Sequence, residues 1–97
     1  MSWFNYEDYL RISDEIDFNK VATKVEISLI TINHQIDRYD EDACNNRLYE
    51  LNQLIYDLME IEARAAIHKH GEIFDKCCVY YADINHLMRR LVDKLNS

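Results

Sequence analysis

The sequence predicts an all-α fold: a small antiparallel helical bundle of three long helices plus a short N-terminal helix, with residues 1–97 forming a single domain. Three observations carry this reading. The 97 residues contain no proline and one glycine, Gly71, so the residues that normally punctuate turns and strands are almost missing. Apolar side chains recur at alternating spacings of four and three, the period of one helix face, and not at the spacing of two that a strand requires. The composition, 48% hydrophobic and 30% charged, is too apolar for a disordered chain and suits one core in a chain of this length.

Taken from the N-terminus, Asn5 can cap a short first helix bearing Tyr6, Tyr9 and Leu10. Ser13, Asp14 and Glu15 supply cap chemistry and first-turn acids again, so a second helix is predicted to begin there. Its stripe runs Phe18, Ala22, Val25, Leu29, Ile32, Ile36. Ile16, Ile27 and Ile30 lie off that stripe, which predicts neighbours on more than one side of the helix. Asp37 to Asp42 is a polar, acidic break in which Asp40 or Asp42 can cap the next helix.

The third helix carries Cys44, Leu48, Leu51, Ile55 and Leu58, with Leu54, Met59 and Ile61 widening the apolar face. The fourth carries Ile73, Cys77, Tyr80, Ile84, Leu87 and Leu91, beside a second stripe of Phe74, Cys78, Tyr81, Met88 and Val92. Between them Gly71 sits where a helix can end, with Lys69 and His70 favourable beside the negative pole of the dipole. A turn there makes an antiparallel hairpin. The rival is one unbroken helix, because the three-four spacing passes through Gly71 and a mid-helix glycine costs only about 1 kcal/mol.

Charge and cysteine content narrow the function classes. The net charge is −7, and residues 1–42 hold ten acidic against four basic side chains. Phosphate backbones repel such a surface, so direct nucleic-acid binding is not expected; a protein partner with a basic surface is. The first eight residues lack the basic start and apolar run of a secretory signal. The longest uncharged run, residues 27–36, is about half of a membrane span. A cytoplasmic location with no membrane contact is expected. Cys44, Cys77 and Cys78 then read as reduced thiols filling the core.

Candidate chemistry gathers near Gly71. His68, His70 and Cys77, with Glu60, Glu62, Glu72 and Asp75 nearby in sequence, contain donor types that metals take. The spacings of the recognised metal motifs are absent, and neither metal nor cofactor is expected. The run Arg64-Ala-Ala-Ile-His68-Lys-His70 resembles the arginine-then-histidine motif of HEPN-type ribonucleases, which are all-α and often dimeric. That resemblance implies that His70 would assist cleavage of an RNA backbone while Arg64 stabilises phosphate. Read without the resemblance, Arg64 pairs with Glu60 one turn back and the histidines finish a helix.

The expected function is that of a non-catalytic protein-binding module: a small acidic regulator or inhibitor of the kind mobile elements encode, acting on a basic partner such as a nucleic-acid-processing complex. The HEPN-like ribonuclease is the alternative. Seven tyrosines and one tryptophan supply ring types favoured at interfaces. The predicted contact residues are Trp3, Tyr6, Tyr9 and Tyr39, taken as exposed aromatics, with Asp37, Asp40, Glu41 and Asp42. Apolar residues on two sides of the helices exceed what one small core covers, so a homodimer is expected.

Overall fold

A computed structural model describes residues 5–97. It consists of α1 (Tyr6–Gln35), a 3-10 turn (Ile36–Arg38), α2 (Glu41–Ile67) and α3 (Gly71–Leu95). Contacts fix an up-down-up order. Asp17 meets Arg64 and Ser28 meets Glu50, so α1 and α2 run antiparallel. Phe18 meets Tyr80 and the Ile36 carbonyl meets Lys94, so α1 and α3 run parallel. The bundle is 64 Å long and 16–17 Å across.

The predicted stripes form the core. Phe18, Val25 and Ile32 of α1, Leu51, Leu58 and Ile61 of α2, and Ile73, Cys77, Ile84, Leu87 and Leu91 of α3 are all buried. Each large apolar side chain among them contributes about 1.5–3 kcal/mol on leaving water. Two predicted caps are made: Asn5 Oδ1 accepts from the Glu7 N–H at 3.0 Å, and Asp40 Oδ1 accepts from the Ala43 N–H at 2.8 Å.

Three expectations are corrected. The short N-terminal helix and the helix predicted to start at Ser13 are one helix, α1. Asp14 does not turn back to cap its own backbone; it points inward, 1% exposed, toward α2. With no proline or glycine in the segment, nothing interrupts the hydrogen-bond ladder.

At Gly71 the hairpin forms, but Gly71 is not the residue that makes it. Lys69 takes the left-handed conformation (φ 56°), while Gly71 is the first residue of α3 and has no positive φ. The His70 N–H bonds the Ala65 carbonyl at 2.8 Å and the Lys69 N–H bonds that of Ala66 at 3.3 Å. This pair of bonds is a Schellman closure, in which the left-handed residue is usually glycine.

Met59 and Cys78 point outward instead of widening the core. Only Cys44 and Cys77 fill it, and all three thiols are free.

Helix α1 also keeps an apolar outer face. At 100° per residue, Ile12, Ile16, Ile27 and Ile30 lie on the side of the helix axis opposite Phe18, Val25 and Ile32. They are 51% to 61% exposed. The neighbours predicted for Ile16, Ile27 and Ile30 are not found among the described residues.

Candidate functional site

The α2–α3 turn is tied to α1 by three polar pairs. His68 Nδ1 lies 2.6 Å from Asp14 Oδ2, Arg64 Nη1 lies 2.9 Å from Asp17 Oδ2, and His70 Nε2 lies 3.2 Å from Glu15 Oε1. A carboxylate only accepts, so the His68 imidazole carries its hydrogen on Nδ1. These pairs use both residues of the ribonuclease-like motif. Arg64 bonds Asp17 across the bundle instead of pairing with Glu60. A phosphate approaching Arg64 and His70 would meet the carboxylates of Asp14, Glu15 and Asp17. The cluster is built to hold the hairpin against α1. Among the described residues no three His, Cys, Asp or Glu side chains converge as metal ligands.

The predicted contact residues separate. Trp3 lies outside the described residues. Tyr6 and Tyr9 are exposed, their rings stacked at 6.4 Å, and Tyr6 lines a cleft of about 360 Å³ with Ile67, His68 and Lys69. Asp37, Tyr39, Asp40, Glu41 and Asp42 sit at the other end of α1, roughly 40 Å away at 1.5 Å per residue. Tyr39 is not an exposed aromatic. It packs against the core, with the Arg47 guanidinium over its ring at 5.7 Å and Arg47 Nε donating to its hydroxyl at 3.1 Å. Arg47 also donates to Glu50 at 2.8 Å, and Ser28 donates to the other Glu50 oxygen at 3.0 Å. Tyr39 is therefore pinned in a network that joins α1 to α2. Asp40 is occupied as a cap, which leaves Asp37, Glu41 and Asp42 exposed at the turn.

The structure assembles a surface that the stripe pattern passed over. The outward face of α2 carries Tyr49, Tyr56 and Met59, which are 69%, 59% and 51% exposed. Glu41, Asp42, Asp57 and Glu60 are exposed on the same helix. The two basic residues of α2 are both engaged at its edges, Arg47 with Glu50 and Arg64 with Asp17. Bonding to Glu50 raises the pKa of Arg47 further, so its charge is permanent but spent locally. Along α2 the exposed carboxylates and tyrosines stand among neutral Asn45, Asn46, Asn52 and Gln53, with no free cation among the described residues. The signal was present in the sequence: Tyr49, Tyr56 and Ala63 recur every seven residues, opposite the leucine stripe.

Three groups on α3 are displaced from their usual titration. Burial pushes the Cys77 thiol up to about 11. Burial and the hydrogen bond to Glu26 (2.7 Å) push the Tyr80 hydroxyl up to about 12. Burial, with Glu62 adding to it, also raises Tyr81. None of the three is a ready nucleophile at neutral pH.

No protein family, no curated protein and no solved structure matches the chain.

Proposed function

We propose that this chain is a non-catalytic protein-binding module, a small acidic regulator or inhibitor that docks a partner with a basic surface through the outward face of α2. One observation carries the reading: Tyr49, Tyr56 and Met59 stand exposed among four carboxylates on a helix whose only two cations are already paired. Exposed tyrosines bury area at low entropic cost, and unopposed carboxylates speed encounter with a positive surface. The contact therefore shifts from the residues 37–42 cluster to the length of α2, with Glu41 and Asp42 at one end of it. The ribonuclease alternative gains nothing from the geometry, because each of its two residues faces a carboxylate where it would need a phosphate.

The test is affinity capture from cell extract with the wild-type chain and with a Tyr49→Ala/Tyr56→Ala variant, read by mass spectrometry. A partner with a basic patch should be retained by the wild type, released as salt rises, and lost with the variant. A partner held equally by both proteins would remove α2 from the interface. In parallel, neither protein should cleave single-stranded RNA; cleavage abolished by His70→Ala in a folded protein would reinstate the enzyme.

A further inference from the structure

A cleft of about 490 Å³ opens between α1 and α3, a volume in the range of small-molecule sites. Asn19, Ala22 and Thr23 line it from α1, and their short side chains leave the space between the two helices unfilled. Its floor is aromatic. Phe18 is 5% exposed, and its ring centroid lies 5.9 Å from that of Tyr80. The Tyr80 ring is held in place, because its hydroxyl donates to Glu26 Oε1 at 2.7 Å. The second Glu26 oxygen has no partner among the described residues.

The charge left over at this cleft is negative. Glu26 lines it, and Asp83 stands within electrostatic reach of the Tyr80 hydroxyl. Neither carboxylate is in an ion pair among the described residues. Lys76 also lines the cleft, but Glu72 takes its ammonium at 3.1 Å. The other cations are held or aimed elsewhere. His70 meets Glu15, and Arg11 lines a different cleft with Tyr6 and His68. Lys20 and Lys24 lie on the flank of α1 that carries Asp17 toward α2. Arg90 donates to Asn33 and stands roughly 15 Å along α3 from Tyr80. Burial first, then Glu26 and Asp83, push the Tyr80 hydroxyl up to about 12, which reports the same negative field.

We infer that the α1–α3 cleft binds a small organic monocation, a primary ammonium or amidinium on an apolar body. The body rests on Phe18, Ala22 and the Tyr80 ring, and the charge meets Glu26 and Asp83. Aromatic faces and unpaired carboxylates both attract a cation, and the open Glu26 oxygen accepts its N–H. A neutral molecule of the same shape leaves the carboxylates unanswered, and an anion is repelled by them. No residue of this site belongs to the α2 face assigned to a partner protein, so the two assignments stand or fall separately.

Heteronuclear NMR of the full chain, titrated with phenethylammonium into the millimolar range, tests it. Saturable shifts should centre on Phe18, Ala22, Thr23, Glu26 and Tyr80. Shifts that do not saturate, or that spread over exposed carboxylates elsewhere, overturn the inference. Phenethyl alcohol, the same body without the charge, should bind about tenfold more weakly; equal affinities overturn the assignment to a cation. Glu26→Gln keeps an acceptor for the Tyr80 hydroxyl at an exposed position, so helicity should be unchanged by circular dichroism. In that variant the affinity for phenethylammonium should fall about tenfold while that for phenethyl alcohol stays the same. A cation affinity untouched by both Glu26→Gln and Asp83→Asn removes the carboxylates from the site and sinks the proposal. Asn19→Trp, exposed at the rim, should fill the cleft and abolish binding of both probes; binding that survives it places the ligand outside the cleft.

Discussion

Lys69 is the residue at which local chemistry and tertiary demand disagree. A side chain in the left-handed region crowds the following carbonyl, and glycine escapes that penalty. Lys69→Gly should therefore raise stability by about 1 kcal/mol, visible as a higher Tm. Gly71 has ordinary helical dihedrals and open space where a Cβ would be built, so Gly71→Ala should change stability by zero to about +1 kcal/mol. A Lys69→Gly protein that melts lower would show that the turn is not held in this conformation. Asp14 is the second such residue. Asp14→Ala leaves the His68 Nδ1–H without its acceptor in a half-buried place, and a loss of about 2–3 kcal/mol is expected. Asp14→Asn keeps an acceptor oxygen and should cost less. Equal losses for the two would mean that packing, not the hydrogen bond, keeps Asp14 buried.

Helices α2 and α3 show how opposite faces of one element respond to the same change. Leu51→Ala empties a fully buried site in α2 and should cost about 2–5 kcal/mol. Tyr49→Ala, two residues away and mostly in solvent, should stay within about 0.5 kcal/mol. Thermal or urea melts of the two variants check that contrast. In α3 the expected response is to alkali. Unfolded, Cys77 and Tyr80 ionise near 9.0 and 10.0; folded, they hold their protons to about 11 and about 12. The folded state binds protons more tightly, so its stability is complete below about pH 9 and falls as pH rises toward 12. Tyr80→Phe should lessen the upper part of that fall, to which the raised Tyr81 also contributes, while leaving the part set by Cys77. A Tm flat from pH 9 to 12 would mean that neither group is shielded in the fold.

Over the whole molecule, charge and length decide where a partner can bind. Tyr6 and Tyr9 lie at one end of a 64 Å rod and Asp37, Glu41 and Asp42 at the other, so a contact of standard size does not span both. The α2 face runs continuously between them. Replacing Asp57 and Glu60 with Asn and Gln should slow association with a basic partner more than replacing Asp37 and Glu41. Both effects should shrink with added salt, since exposed charges are screened beyond about 10 Å at 0.1 M. Rates insensitive to salt would make the acidic surface ordinary solvation and move the contact to apolar side chains.

Periodicity determined the helices, because a core stripe must repeat with the turn of the helix wherever the chain goes. Cap chemistry at Asn5 and Asp40 is equally local, and the acidic break at residues 37–42 was legible for the same reason. Contacts between distant parts of the chain left no such mark. Ser13-Asp14-Glu15 looks like a helix start until the His68 ring arrives from 54 residues away and takes the carboxylate. Tyr39 looks like an exposed ring until Arg47 covers it. Lys69, not glycine, adopts the left-handed turn because the polar pairs of its neighbours His68 and His70 fix the chain on both sides. The outward faces of α1 and α2 were visible only as residues off a stripe. Which of those residues meet solvent depends on where two other helices pack, and that is a property of the bundle, not of any one helix.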